Sequence, residues 1–509
     1  MVVRKWSLKN FSRRLRYVIP KGSSAGKIII LITIAAFLLR VLFIDTSYVF
    51  WDEAIYVMNA QAIVEGASPM QEWDIRPPLL PLLLSLTYRS ELFSRLFVAF
   101  LNSMLVPVAW LLGKQVNRKA GLIAAVTVAV FPFHILASRW LMTDSLSALL
   151  MAFGFYLAFV SLKRPSQQST LLALIGGAAV AMSVLMKFTS LLILAVLAPL
   201  YFVRIRDRFM EIIVSAAGFI LVMAPYLIWN AITFGSPLHV FLNGFAVVDI
   251  SDSISFFLKL KELYYFFGPV LIIALVSSCF MRMKIRRKTS AVSTASATSS
   301  TSATSSISSA SSTSSTSAAS STSSTSATAI ERYSYYWLAL SLIYFFYILN
   351  KGVAAPESML WEVQRFLFPA LVPSVILSSS ALSRLKPRSL FVALLLFLVF
   401  SFPMLAVAYT PAIEHENGLR AVTKEIGAYL KGSSCDCIYC TGNCPPVAYY
   451  SGIRTIYSSS LSGEDAWLSG GYMGPYDDKV LCTVSFSSCD SAIKAYWSGD
   501  SVACLKDIN

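Results

Sequence analysis

The chain has 509 residues, of which 56% are hydrophobic and only 14% charged, a balance too apolar for an ordinary soluble protein. Its formal charge of +15 comes with neither a basic fold motif nor an aromatic stacking motif, which argues against nucleic acid as a partner. Apolar runs of roughly 17–23 residues recur, the length that crosses a hydrocarbon core as a helix. A lipid-exposed open sheet could not satisfy its backbone there, so the spans are expected to be helices.

Taken in order, residues 1–27 are basic, with Arg4, Lys5, Lys9, Arg13, Arg14, Arg16, Lys21 and Lys27 ahead of the first apolar run. That run lacks a small-residue cleavage site and reads as a retained span. A membrane region over 28–409 follows. Its spans are predicted at Ile28–Ile44, Leu92–Gly113, Ala120–Ala137, Thr143–Leu162, Leu171–Met186 and Ser190–Val203, then at Ile212–Trp229, Leu263–Met281, Tyr336–Leu349, Phe366–Leu382 and Leu390–Ala408. Basic clusters at Lys114/Arg118/Lys119, Lys163/Arg164, Arg204/Arg206/Arg208, Arg282–Lys288 and Arg384/Lys386/Arg388 fall between every second pair of spans. This is the positive-inside pattern. It gives about eleven spans, with the N-terminus in the cytoplasm and the C-terminus outside.

The first outer loop, 45–90, carries Asp45, Asp52, Glu53, Glu65, Glu72 and Asp74 near a single early cation, Arg76, and is flanked by Trp51 and Trp73. Within it Leu79–Tyr88 is apolar but short and broken by Pro81, and is expected to lie along the outer interface. Residues 289–330, almost wholly Ser, Thr and Ala from Ser290 to Thr328, have no apolar face and read as a disordered cytoplasmic linker. From 410 to 509 the hydropathy falls, enough chain for a small domain. Cys444–Gly452 reads as a short helix and Val480–Phe486 as a strand, so a small extracytoplasmic α/β domain is expected. Seven of the eight cysteines (Cys435, Cys437, Cys440, Cys444, Cys482, Cys489, Cys504) lie here. Disulfides are the favoured reading on the outer side and zinc the alternative.

With this topology several charged residues reach one level, the outer helix ends. Asp52 and Glu53 follow the first span, Arg139 and Asp144 join the third and fourth, Lys187 tips a hairpin between the fifth and sixth, and Gln364 and Arg365 enter the tenth. Charged groups near a bilayer usually mark function. Each also has a plainer explanation: a helix N-cap for Asp144, a headgroup contact for Lys187, snorkelling for Arg40. His134 and His239 lack metal-ligand spacing, and no Gly-rich phosphate loop or HExxH occurs.

WDEAIY after the first span, RPPLLP, RWLMTDSLSALLMAFGFY, LMKFTSLLILA, PYLIWNAITFGSPL and QRFLFPALVP stand in the order seen in polytopic GT-C glycosyltransferases. Over roughly Ile28–Leu382 the chain resembles the branch that contains protein O-mannosyltransferases and the aminoarabinose transferases of lipid A. The resemblance implies an all-α polytopic enzyme that takes a sugar from a polyprenyl (dolichyl or undecaprenyl) monophosphate on the outer face. It implies catalytic roles for Asp52, Glu53 and Asp144, with Asp52 as the acceptor-activating base, and donor phosphate contacts from Arg76, Lys187 and Arg365. Asp52 and Asp144 could also share a divalent cation, Mg or Mn. The acceptor is a protein, lipid or glycan hydroxyl, other partners are membrane lipids, and a prokaryotic plasma membrane fits better than the endoplasmic reticulum. A lipid or sugar transporter or flippase and an oligosaccharyltransferase-like enzyme are the alternatives.

Overall fold

A computed structural model of the protein describes residues 24–42, 44, 51–66, 76–163, 167–246, parts of 260–277, 317–350, 364–432, 437–441, 449–451, 454–457, 481–485, 494–498 and 501–507. The basic N-terminal stretch, Glu72 to Asp74, Cys279 and most of the Ser/Thr/Ala segment lie outside these residues. The chain is mostly helical. Among the described residues five helices are long and apolar enough to cross a membrane: Glu91–Lys114, Thr143–Ser161, Gln168–Met186, Phe209–Phe234 and Arg365–Leu382. Each falls on an expected span. Two shorter apolar helices, Phe188–Arg204 and Pro387–Phe400, fall on two more.

The elements that matter for the site are α1 (Ser24–Val41), α2 (Trp51–Glu65), α3 (Leu79–Leu84) and α4 (Glu91–Ser103), which α5 (Leu105–Lys114) continues. Then come α6 (Arg118–Ala129), α7 (Pro132–Ala137), α8 (Thr143–Ser161), α9 (Gln167–Met186), α10 (Leu192–Arg204) and α11 (Phe209–Phe234).

The expected third span is not one helix, because α6 stops at Ala129 and α7 restarts at Pro132. Proline has no N–H to continue the ladder, so carbonyls at the end of α6 lose their partners. Arg40 supplies them. Its guanidinium donates to the carbonyls of Val128 and Ala129, both at 3.3 Å, and lies 2.7 Å from His134 Nδ1. The residue is fully buried, so the snorkelling expectation is wrong: Arg40 points inward and caps a broken span.

Helices α9 and α11 touch backbone to backbone. A Cβ on Gly177 would sit 1.8 Å from the Ser215 carbonyl oxygen, and one on Gly218 would sit 2.1 Å from that of Leu174. Small residues permit such approach where lipid offers helices no hydrophobic drive to associate. Phe133 packs against Phe266 at 5.0 Å and Phe368 at 5.1 Å, fixing α7 against the helix Phe368–Leu382. The short α3 buries Leu80 and Leu84 against Tyr56, Val57 and Ala60 of α2 while Leu82 stays exposed.

The helix that carries the ninth expected span, Ser317–Asn350, reaches back into the Ser/Thr/Ala segment. Once a helix is nucleated, each added residue costs little, and alanine favours extension. The last helix, Pro387–Lys431, likewise runs past the expected boundary at 410 and lies against strands of the tail. Those strands, β1 (Cys437–Thr441), β2 (Arg454–Tyr457), β3 (Leu481–Ser485), β4 (Lys494–Ser498) and β5 (Ser501–Asp507), form one sheet in the order β2-β1-β3-β5-β4. β1 pairs in parallel with β2 and β3, while β5 pairs antiparallel with β3 and β4.

Candidate active site

Asp52 lies in the first turn of α2, where a negative charge is favoured by the helix dipole. Each of its carboxylate oxygens meets a different arginine. Arg76 Nη2 donates to Oδ1 at 2.5 Å and Arg365 Nη1 to Oδ2 at 3.1 Å. One cation comes from the start of the short apolar segment before α3, the other from the 3-10 turn Arg365–Leu367 before the tenth expected span. Burial pushes the Asp52 carboxyl up, but the charges of Arg76, Arg365 and Lys187 outweigh it and hold the group below its ordinary value. The side chain is 15% exposed, enough for a ligand to reach it.

The second acid arrives from α8. Thr143 opens that helix and Met142 is its N-cap, without a side-chain capping bond, so the N-cap expectation for Asp144 fails. Asp144 is buried in the first turn and accepts from Lys187 Nζ. Lys187 follows α9 directly and precedes the 3-10 turn Phe188–Leu191. Burial lowers the Lys187 ammonium below the usual lysine value and the Arg365 charge adds to this, against the pull of Asp144 and Asp52. Phe366 stands between two cations, 5.1 Å from Lys187 and 5.4 Å from Arg365. Tyr56, one turn beyond Asp52 on α2, is buried, hydrogen bonds Thr143 and feels both acids.

Of the six residues expected at the site, five gather here: Asp52, Arg76, Asp144, Lys187 and Arg365. Glu53 does not point with them. It is fully buried; Arg95 Nη1 donates to its Oε1 at 2.9 Å and Nη2 to its Oε2 at 3.4 Å. The Leu141 N–H donates to Oε1 at 2.8 Å. Engaged this way, Glu53 is turned from the Asp52–Asp144 cluster and serves the Arg95 guanidinium instead. Arg95 and Tyr56 were not anticipated; a charge inside an apolar helix is the signal that marks Arg95.

A divalent cation bridging Asp52 and Asp144 does not fit this arrangement. Each oxygen of Asp52 already faces a guanidinium and Asp144 faces an ammonium; a metal ion would add two charges to a site where cations already outnumber acids. Among the described residues no three of His, Cys, Asp and Glu group as a metal site.

Over residues 84–247 the sequence matches the family described as dolichyl-phosphate-mannose-protein mannosyltransferase. The match takes in Arg95, Asp144 and Lys187, while Asp52, Arg76 and Arg365 lie beyond it. No curated protein matches the chain by sequence. Among solved structures, ArnT from Cupriavidus metallidurans bound to undecaprenyl phosphate is 12% identical with a TM-score of 0.62, over 95% of this chain and 98% of ArnT. Its apo state gives 13% and 0.60 over the same shares. The Archaeoglobus fulgidus oligosaccharyltransferase tethered with an acceptor peptide is 14% identical with a TM-score of 0.54, over 86% of this chain and 64% of that one. The protein therefore has the fold of these GT-C membrane glycosyltransferases, and its sequence over 84–247 resembles the protein mannosyltransferase family.

Proposed function

We propose that the protein transfers a sugar from a polyprenyl monophosphate donor to a hydroxyl acceptor on the extracytoplasmic face of a prokaryotic plasma membrane, with inversion. The observation that carries this reading is one exposed-edge carboxylate, Asp52, set among three cations drawn from three separate segments. The acceptor O–H proton passes to the Asp52 carboxylate as the acceptor oxygen attacks the anomeric carbon. The bond from that carbon to the phosphate oxygen breaks, and polyprenyl phosphate leaves with the electron pair. Arg76, Lys187 and Arg365 stabilise the charge that develops on it. Asp144 holds Lys187 in place. One displacement inverts the centre.

An apolar cavity two turns along α2 from Asp52 is where we place the first part of the prenyl chain. A cavity of about 330 Å³ is lined by Asn59, Ile63, Pro81, Leu82, Tyr226 and Trp229, among others. Asn59 follows Asp52 by two turns of α2, on the same helix face. The wider arrangement we infer has eleven spans, a cytoplasmic linker at 289–330 and an extracytoplasmic α/β domain at 410–509. ArnT was solved with undecaprenyl phosphate, which supports a donor of this class.

The test is transfer by purified protein with a panel of polyprenyl-monophosphate sugars, read by mass spectrometry. The expected result is a free polyprenyl monophosphate and an acceptor heavier by one sugar. Turnover only with diphosphate-linked glycans would favour the oligosaccharyltransferase reading, and donor translocation without transfer would favour a flippase.

A further inference from the structure

Glu53 and Arg95 form an ion pair with almost no exposure, at 0% and 1%. A pair this deep is weak as a source of stability, because desolvation offsets its attraction. Its contacts suggest another task. Glu53 is the neighbour of Asp52 and accepts from the Leu141 N–H, while Arg95 also donates to the Arg139 carbonyl. Residues 139–141 lead straight into Asp144. One pair thus ties the helix that carries the first acid to the loop that delivers the second.

The tie continues outward. Glu91, one turn before Arg95 on α4, feels the charges of Lys424, Arg95 and Glu53. It accepts from the Tyr450 hydroxyl at 3.3 Å. Lys424 lies 5.6 Å from the Tyr450 ring, and a Cβ on Gly427 would meet Tyr450 Cβ at 2.5 Å. The adjacent Tyr449 packs on the cluster that holds Tyr56, one turn beyond Asp52, and Met186, next to Lys187 in sequence. The C-terminal segment is therefore seated on the outer end of α4.

We propose that the buried Glu53–Arg95 pair, steadied through Glu91 by Tyr450 of the C-terminal segment, is a positioning element that fixes Asp52 relative to Asp144. The pair touches neither donor nor acceptor. It rests on the reading of Asp52 as the base, and its failure is separable from failure of that reading.

The test uses the full-length protein. Because Glu53→Gln alone strands a buried arginine charge, the informative variant is Glu53→Met/Arg95→Met, which removes both charges together. We expect it to fold, to bind donor within about two-fold of wild type, and to lose on the order of 10²-fold in single-turnover transfer, the cost of an ångström-scale misplacement. Arg95→Lys, which keeps the charge and loses the fork, is expected to fold and to slow transfer with donor affinity unchanged. Tyr450→Phe should slow it less. Near-normal transfer by Arg95→Lys, or by the double variant, overturns the positioning role while leaving Asp52 as base, provided Asp52→Asn is inactive. Loss of donor affinity in step with rate also overturns it, since that would place the pair in binding.

Discussion

Two guanidinium groups hold Asp52 in the free protein, and in the proposed mechanism the donor's phosphate would compete for both. A general base works best with a pKa near the operating pH, yet Asp52 is held below the ordinary carboxylate value of about 3.9. Drawing Arg76 and Arg365 toward a phosphate would relax that depression, so in the proposed mechanism the donor itself would make Asp52 a better base. The sign is definite: a depressed carboxylate stays ionised until pH falls through its lowered pKa, and any rise on binding moves that point upward. The acid limb of kcat, which reports the bound enzyme, should lie at higher pH than that of kcat/KM, which reports the free one. Coincident limbs in a pH–rate series would contradict this. Lys187 titrates at the other end. Burial lowers it, so donor affinity should decline on the alkaline side before the ordinary lysine value of about 10.4, and Lys187→Ala should remove that decline along with much of the affinity. The gathering of Asp52, Arg76, Asp144, Lys187 and Arg365 was partly legible in the sequence, because acids and cations at span ends stand out against apolar neighbours. Glu53 was not legible. Its spacing next to Asp52 is equally consistent with catalysis or with a buried pair, and only the contact with Arg95 decides.

At the scale of elements, the contact between α9 and α11 is the one most exposed to a single change. Gly177→Val places side-chain atoms where the Ser215 carbonyl already stands, so the helices must part. Overpacking of this kind typically costs about 1–3 kcal/mol. The expected outcome is a lower thermal midpoint in detergent, with the parallel change at Gly218 behaving alike; an unchanged midpoint for both would show that the helices are not this close. Hydropathy located the five candidate spans found among the described residues, because a bilayer imposes length and apolarity on each. It could not show that the third span breaks before Pro132, nor that Arg40 turns inward to cap the break. Those outcomes depend on which carbonyls lack partners once neighbouring helices are in place. The continuation of the last helix to Lys431 was hidden for a related reason: hydropathy falls near 410, but a helix already formed does not stop where its solvent changes.

For the whole molecule, the basic clusters predict sidedness. Cysteine labelling in cells should reach positions 290–316 only from the cytoplasm and positions in 67–75 only from outside; the reverse pattern would move the site to the wrong face for the proposed donor. Because the site neutralises its acids with fixed cations, transfer should also persist in excess chelator, and dependence on added Mg or Mn would refute the metal-free reading. The proposed mechanism requires that Asp52 take the acceptor proton during transfer from a polyprenyl-phosphate sugar. Its most direct test is single-turnover transfer by the reconstituted full-length protein, wild type against Asp52→Asn, with donor affinity measured on the same preparations. Donor binding within a few-fold of wild type and a loss of about 10²–10⁴ in rate are expected; near-normal transfer by Asp52→Asn would contradict the role of Asp52 as base.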